Sequence, residues 1–244
     1  SQEQLESLFS ELEFRTLGRR LFGESFQIQK ESGDNFTLQS ESDSKASFTS
    51  QQTELLSEST HSFRTLKDIP AQYILIKTQK EKEALAQAIE ESQLFAFDTE
   101  TNSLDTHNAQ LKGIAFVTQT NKGWFLPYQK EDRDFLKKLF GNESYTKIGH
   151  NLKFDIAILE NQDCPIKGTC YDTLIAHSLI EPEQRHNLDI LAENLLSYKT
   201  IPFSEMAPDA KKGAPIDYQS IDIDTLTNYA IEDADITFQL WQLL

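Results

Sequence analysis

Residues 95–105 read FAFDTETNSLD, an apolar run that ends in two acids one residue apart. Side chains two apart on a β-strand share a face, so Asp98 and Glu100 point the same way at the end of a buried stretch. Two carboxylates held so closely repel unless a cation lies between them, and hard oxygen ligands suit Mg²⁺ or Mn²⁺. The plainer alternative is a solvated strand end before a polar turn, and an Asp-x-Glu alone does not choose between the two.

The neighbouring segments place this run in a sheet. Upstream, YILIK over 73–77 reads as a strand, and 81–91 as a helix with Leu85, Ala88 and Ile89 on one face. Downstream, LKGIAFVT over 111–118 and GWFLPY over 123–128 are strand-like, with turn signals between them. The pattern then alternates: helix over 132–140, a short strand over 146–150, and helices over 152–160, 171–180, 187–196 and 222–244. Consecutive strands followed by mixed strands and helices predict an α/β fold around a mixed sheet.

Further out the chain changes character. Residues 4–22 carry Leu5, Leu8, Phe9, Leu12, Leu17 and Leu21 near helical spacing, with Gly23 as a stop. Between Ser32 and Ser62, Ser, Thr and Gln make up 16 of 31 residues, too polar to offset the entropy of ordering. The expectation is a helix over 1–23, a flexible linker over 24–63 and a compact domain over 64–244.

Over 244 residues, 39 Asp and Glu face 23 Lys and Arg, for a formal charge of −16. That excludes a dedicated basic nucleic-acid module, which needs clustered cations, so any nucleic acid must be met at a local site. The acids are spread: residues 1–62 hold five bases and eleven acids, leaving 18 against 28 for the rest. No stretch approaches the roughly 18 apolar residues of a membrane span, so a soluble protein is expected. Two cysteines, Cys164 and Cys170, give no disulfide framework, and a reducing cytoplasm is the default setting. With residue 1 a Ser and Met206 the only Met, the chain reads as cut from a longer protein.

Two more segments carry acids in apolar surroundings. In IGHNLKFDIAIL over 148–159, Asp155 interrupts a helix otherwise made of Leu152, Phe154, Ile156, Ile158 and Leu159. In NYAIEDADITFQLW over 228–241, Tyr229 and Asp233 lie one helical turn apart, while Asp235 is rotated away and reads as solvated. Each alone also fits an ordinary surface helix. Together they supply four carboxylates and a phenol, which is what two-metal phosphodiester hydrolysis needs: cations roughly 4 Å apart, one activating water and one stabilising the leaving oxygen.

In that order, FAFDTETNSLD, IGHNLKFD and YAIEDAD resemble the three motifs of the DEDD 3′→5′ exonucleases, in the tyrosine-bearing subgroup. Within it, the match is to proofreading domains of bacterial family A DNA polymerases, through YDT at 171–173 and KTIPF at 199–203 as well. LFSELEFRTLGRRL over 8–21 is similar to the end of the 5′-nuclease region that precedes proofreading in those polymerases.

The resemblance implies an RNase H-like fold with a five-stranded mixed sheet and flanking helices. It implies two divalent cations, Mg²⁺ with Mn²⁺ as substitute. Asp98, Glu100 and Asp233 would hold the first, Asp98 would touch the second, and Asp155 would support the second through water. Tyr229, with Glu100, would orient the attacking water, since a phenol of ordinary pKa, about 10, is a poor base at neutral pH. Thr101, Leu104, His150, Asn151, Phe154, Arg185 and Phe203 would contact the strand. His150 and Phe154 depart from the Gln and Tyr frequent at those places, the latter losing a hydroxyl.

The expected partners are a single-stranded or frayed DNA 3′ end and a polymerase domain in the same chain beyond Leu244, in a monomer without membrane contact, in the cytoplasm at the nucleoid. Rival readings are an RNase D-like or RecQ-associated exonuclease and a silent scaffold that braces a polymerase. Asp172 is expected to be a helix N-cap. His61, His107, His177 and His186 share no ligand spacing, and with the two cysteines they suggest no zinc site.

Overall fold

Among the described residues the strands form one six-stranded mixed sheet, in the order β1-β4-β3-β2-β5-β6. The computed structural model describes residues 63–209, 214–218 and 220–244. The chain divides into Ser1–Glu58 and Ser59–Leu244, and everything described belongs to the second unit. The helix expected over 1–23 and the linker expected over 24–63 lie outside the described residues, Phe63 excepted.

The strands are β1 (Gln72–Leu75), β2 (Leu94–Thr101), β3 (Leu111–Gln119), β4 (Lys122–Pro127), β5 (Thr146–Gly149) and β6 (Cys170–Asp172). β2 is antiparallel to β3 and parallel to β5, β3 is antiparallel to β4, and β1 and β6 add parallel strands at the two edges. The helices are α1 (Gln79–Ser92), α2 (Arg133–Gly141), α3 (Leu152–Asn161), α4 (Thr173–Ile180), α5 (Leu188–Leu196), α6 (Phe203–Met206) and α7 (Ile223–Leu243).

The five-stranded expectation is corrected by β6. Its three residues are too few to show alternation, and they fall at the start of the segment read as a helix from 171; that helix begins at Thr173. Asp172 caps it, accepting hydrogen bonds from the backbone N–H groups of Leu174 and Ile175, as expected of a residue before an apolar helix.

The period of two in the strands sorts side chains into two layers. Phe95 and Phe97 of β2, Ile114 and Phe116 of β3, and Trp124 and Leu126 of β4 pack with α1, α2 and α3. Phe95, Phe97 and Phe116 meet Phe140 of α2 with ring centroids 4.9–6.0 Å apart. The alternate residues Ala96, Ala115, Val117 and Phe125 face α7 through Leu226, Ala230, Ile231, Ala234 and Phe238. Small residues let α7 lie close: a Cβ on Gly123 would stand 2.4 Å from Ile231 Cγ2. On its far side α7 buries Ile236 and Leu240 against Leu191 and Ala192 of α5. Among the described residues no helix is long and apolar enough to cross a membrane.

Candidate active site

Asp98 and Glu100 continue the parity of Ala96, so they leave β2 on the face covered by α7. In register Asp98 lies opposite Ala115 and Glu100 opposite Gly113, and the ladder shifts between Glu100 and Thr101. Thr99 has the other parity and turns toward α3, where its backbone N–H and its hydroxyl both donate to Asp155 Oδ1, at 3.1 and 2.6 Å. From the other side α7 brings Tyr229 and Asp233, one turn apart, with the phenol hydrogen-bonded to that carboxylate. Carboxylates from both layers thus meet at the end of β2.

The electrostatics are those of acids crowded without a counter-charge. Burial, then the charges of Asp155, Glu100 and Asp233, push the Asp98 carboxyl well above its ordinary range. Burial, then Glu100 and Glu232, do the same to Asp233, against the Tyr229 hydrogen bond. Burial raises Glu100 to about 7, opposed by a hydrogen bond from Tyr218, and raises Asp155 to about 7, opposed by Thr99. Burial and the neighbouring carboxylates push the Tyr229 phenol up as well, so it stays protonated at neutral pH. Glu100 Oε1 is buried with no hydrogen-bond partner, an unusual cost for a charged oxygen.

A divalent cation fits these residues. It would pair the orphaned oxygen, draw the four acids back to their ionised forms and remove their mutual repulsion. Among the described residues no three His, Cys, Asp or Glu side chains stand in the spacing of a ready-made metal site. The fit therefore rests on charge and on the unpaired oxygen.

The expected strand-contacting residues lie on several elements, and one of them, Phe203, is seen beside a residue of this centre. Phe203, 45% exposed at the start of α6, places its ring 6.5 Å from that of Tyr229 in a T-shaped arrangement. Leu104 is 89% exposed in the loop after β2, and Arg185 is exposed between α4 and α5. His150, Asn151, Leu174 and His186 border an open groove of about 410 Å³. His150 Nδ1 lies 2.9 Å from Thr173 Oγ1, while its Nε2 is buried without a partner. Asn151 adopts φ 65° before α3, and its backbone N–H donates to Asp172. Thr101 is buried, its hydroxyl donating to the Ser103 carbonyl at 2.9 Å. Phe154 is half-buried against the core on the α1–α3 side. A larger cavity of about 550 Å³, bordered by Met206, Ile216 and Asp222, contains none of the proposed catalytic side chains.

Other residues behave differently from their sequence reading. Asp235, expected to be solvated, is buried; it accepts from the Tyr73 hydroxyl at 2.7 Å and from the Asn121 N–H at 3.0 Å. Helical geometry gave its angle, but not the β1–β4 edge that closes over it. His177 and His186, nine positions apart, come together with Nδ1 atoms 2.8 Å apart, so one ring donates and the other accepts. His107 is exposed beside Asp105, and His61 lies outside the described residues. Sequence reasoning missed Thr99, Tyr218 and Glu232. Glu232 is buried on α7 and accepts from the Tyr198 hydroxyl at 2.7 Å and from the Ile201 N–H, which fixes the segment leading to Phe203. Its place directly before Asp233 was the one available signal.

A family model described as a 3′-5′ exonuclease matches residues 73–244. DNA polymerase I of Pseudomonas aeruginosa is 33% identical over 187 residues, covering 70% of this chain and 20% of that protein. DNA polymerase I of Borreliella burgdorferi is 30% identical over 249 residues, covering 99% and 26%. The chain thus spans about a fifth to a quarter of the length of these relatives. Among solved structures, the catalytic core of RRP6 from Trypanosoma brucei superposes with a TM-score of 0.58 at 15% identity, over 79% of this chain and 51% of that one. Brucella melitensis NrnC with bound Mg²⁺ gives 0.51 at 22%, over 62% and 71%. At these identities the structural likenesses bear on the fold, which is RNase H-like.

Proposed function

The chain belongs to the 3′-5′ exonuclease family, and on that premise we propose that residues 64–244 remove nucleotides one at a time from a single-stranded or frayed DNA 3′ end. The products are deoxynucleoside monophosphates, and the activity is the proofreading part of a DNA polymerase I. In this reading the polymerase domain follows Leu244, and the protein acts as a cytoplasmic, nucleoid-associated monomer.

The observation that carries the reading is the meeting of Asp98, Glu100, Asp155 and Asp233 at the end of β2, with Glu100 Oε1 left unpaired. These four would hold two divalent cations, Mg²⁺ in the cell. When bound, such ions lower the pKa of water and neutralise charge on the departing oxygen. The remaining work belongs to the protein. The Tyr229 phenol, kept protonated by burial and by its acidic neighbours, serves as an orienting group for the attacking water and not as its base. Phe203 offers a ring beside Tyr229 on which a terminal base can stack. Leu104, Thr101, His150, Asn151, Phe154 and Arg185 complete the strand path in this reading.

The test uses the 244-residue chain with Mg²⁺ and 5′-labelled single-stranded DNA, and structured RNA in parallel. A ladder shortened from the 3′ end, release of monophosphates, and loss of both in Asp98→Ala are expected. Undiminished activity in Asp98→Ala would overturn the site, and a preference for the RNA would overturn the substrate.

A further inference from the structure

Glu100 is gripped on one side and open on the other. The Tyr218 hydroxyl lies 2.8 Å from Glu100 Oε2 and 3.1 Å from the Thr101 carbonyl oxygen, while Oε1 of the same carboxylate is buried without a partner. Tyr218 comes from a segment 118 positions away, between α6 and α7. That segment is tied to the end of β2 by the Ile216 N–H, which donates to the Asn102 carbonyl at 2.8 Å. Ile216, Tyr218 and Ile221 pack against the apolar cluster under α7. The grip therefore falls where the β2–β3 register shifts, between Glu100 and Thr101, the least regular point of the strand that carries both acids.

We propose that Tyr218 is a positioning residue for the exonuclease reaction: its hydroxyl holds Oε2 of Glu100 so that Oε1 is presented to a divalent cation. A glutamate has three side-chain torsions, and one donated hydrogen bond to a fixed phenol removes much of that freedom before a metal arrives. The hydroxyl has a single proton to donate, and the nearer oxygen, Glu100 Oε2, accepts that hydrogen bond. When the carboxylate shifts, the Thr101 carbonyl stands within reach as an alternative acceptor, so the phenol is satisfied in either position. The segment carrying Tyr218 thereby couples the α6–α7 connection to the catalytic strand. The proposal rests on the exonuclease reading above and adds a residue on which that reading does not depend.

The test is Tyr218→Phe, which keeps the packed ring and deletes the hydroxyl. Mn²⁺ binding by calorimetry is expected to weaken roughly tenfold or more, the range typical of lost outer hydrogen bonds to a ligand. The kcat on single-stranded DNA should fall at limiting Mn²⁺ and recover at high Mn²⁺, with KM for DNA unchanged. Because the effect runs through Glu100, Tyr218→Phe should cost nothing further in Mn²⁺ affinity when placed on Glu100→Gln. Unchanged Mn²⁺ affinity in the single variant, or an equal loss on the Glu100→Gln background, would overturn the role. Asp98→Ala run alongside separates the two claims: if it loses metal binding and activity while Tyr218→Phe loses neither, the exonuclease reading stands and the Tyr218 role fails.

Discussion

Thr99 gives both of its hydrogen-bond donors to one oxygen of Asp155, the backbone N–H at 3.1 Å and the hydroxyl at 2.6 Å. The residue between the two acids of β2 thereby fixes the acid of α3, joining the layers at the point where the carboxylates meet. Thr99→Val keeps the branched shape and removes the hydroxyl. Exonuclease activity should drop about tenfold, as for other outer supports of a ligand, and stability by about 1–2 kcal/mol. Steady-state kinetics and urea unfolding read the two effects; full activity would show that Asp155 needs no such support.

The crowded acids set the pH dependence of the metal-free protein. Glu100 and Asp155 sit at about 7 when folded and near about 4 when unfolded. Folding keeps their protons, so their stabilising contribution is complete below about pH 4 and is lost as pH rises through about 7. The melting temperature without metal should fall between pH 5 and 8. Glu100→Gln should flatten that slope and raise the melting temperature at pH 8, whereas Mg²⁺ should stabilise the native protein more at pH 8 than at pH 5. An equally steep slope in Glu100→Gln would contradict this account.

Asp233 and Asp235 are two positions apart on α7 and should respond in opposite ways. Asp235→Ala strands the Tyr73 hydroxyl and the Asn121 N–H, costing about 2–3 kcal/mol, while activity per folded molecule is preserved. Asp233→Ala relieves repulsion among buried acids, so the metal-free fold is retained and catalysis is lost. Chemical denaturation paired with specific activity distinguishes the two; similar profiles would refute the division.

Phe203 stands partly open beside Tyr229. If a terminal base stacks on it, Phe203→Ala should remove about 1 kcal/mol or more of binding, raising KM for single-stranded DNA roughly fivefold or more. A change confined to kcat would place the ring's influence on Tyr229 instead.

Regular periodicity made most of the architecture legible. Alternation in β2, β3 and β4 fixed which side chains share a layer, and the 3.6-residue spacing put Tyr229 and Asp233 on one face of α7. The cap at Asp172 was readable because an Asp before an apolar run has one common use. What escaped had no local signature. β6 is three residues long, Asp235 depends on a sheet edge distant in sequence, and the meeting of His177 with His186 depends on how the α4–α5 connection folds back. Tyr218 and Thr99 act on acids 118 and 56 positions away, and spacing carries no record of such pairings.

The alternation of β2 ties chemistry to folding through a shared reading frame. Phe95 and Phe97 enter one layer while Asp98 and Glu100 leave toward the other. A slip of the whole strand by one residue against its neighbours would send aromatic rings toward α7 and carboxylates into the apolar interior. Loss of the site by such a slip is inseparable from loss of the core. If these acids carry the reaction, their individual replacement is the change in β2 that removes the chemistry and leaves the strand's register, and with it the core, in place.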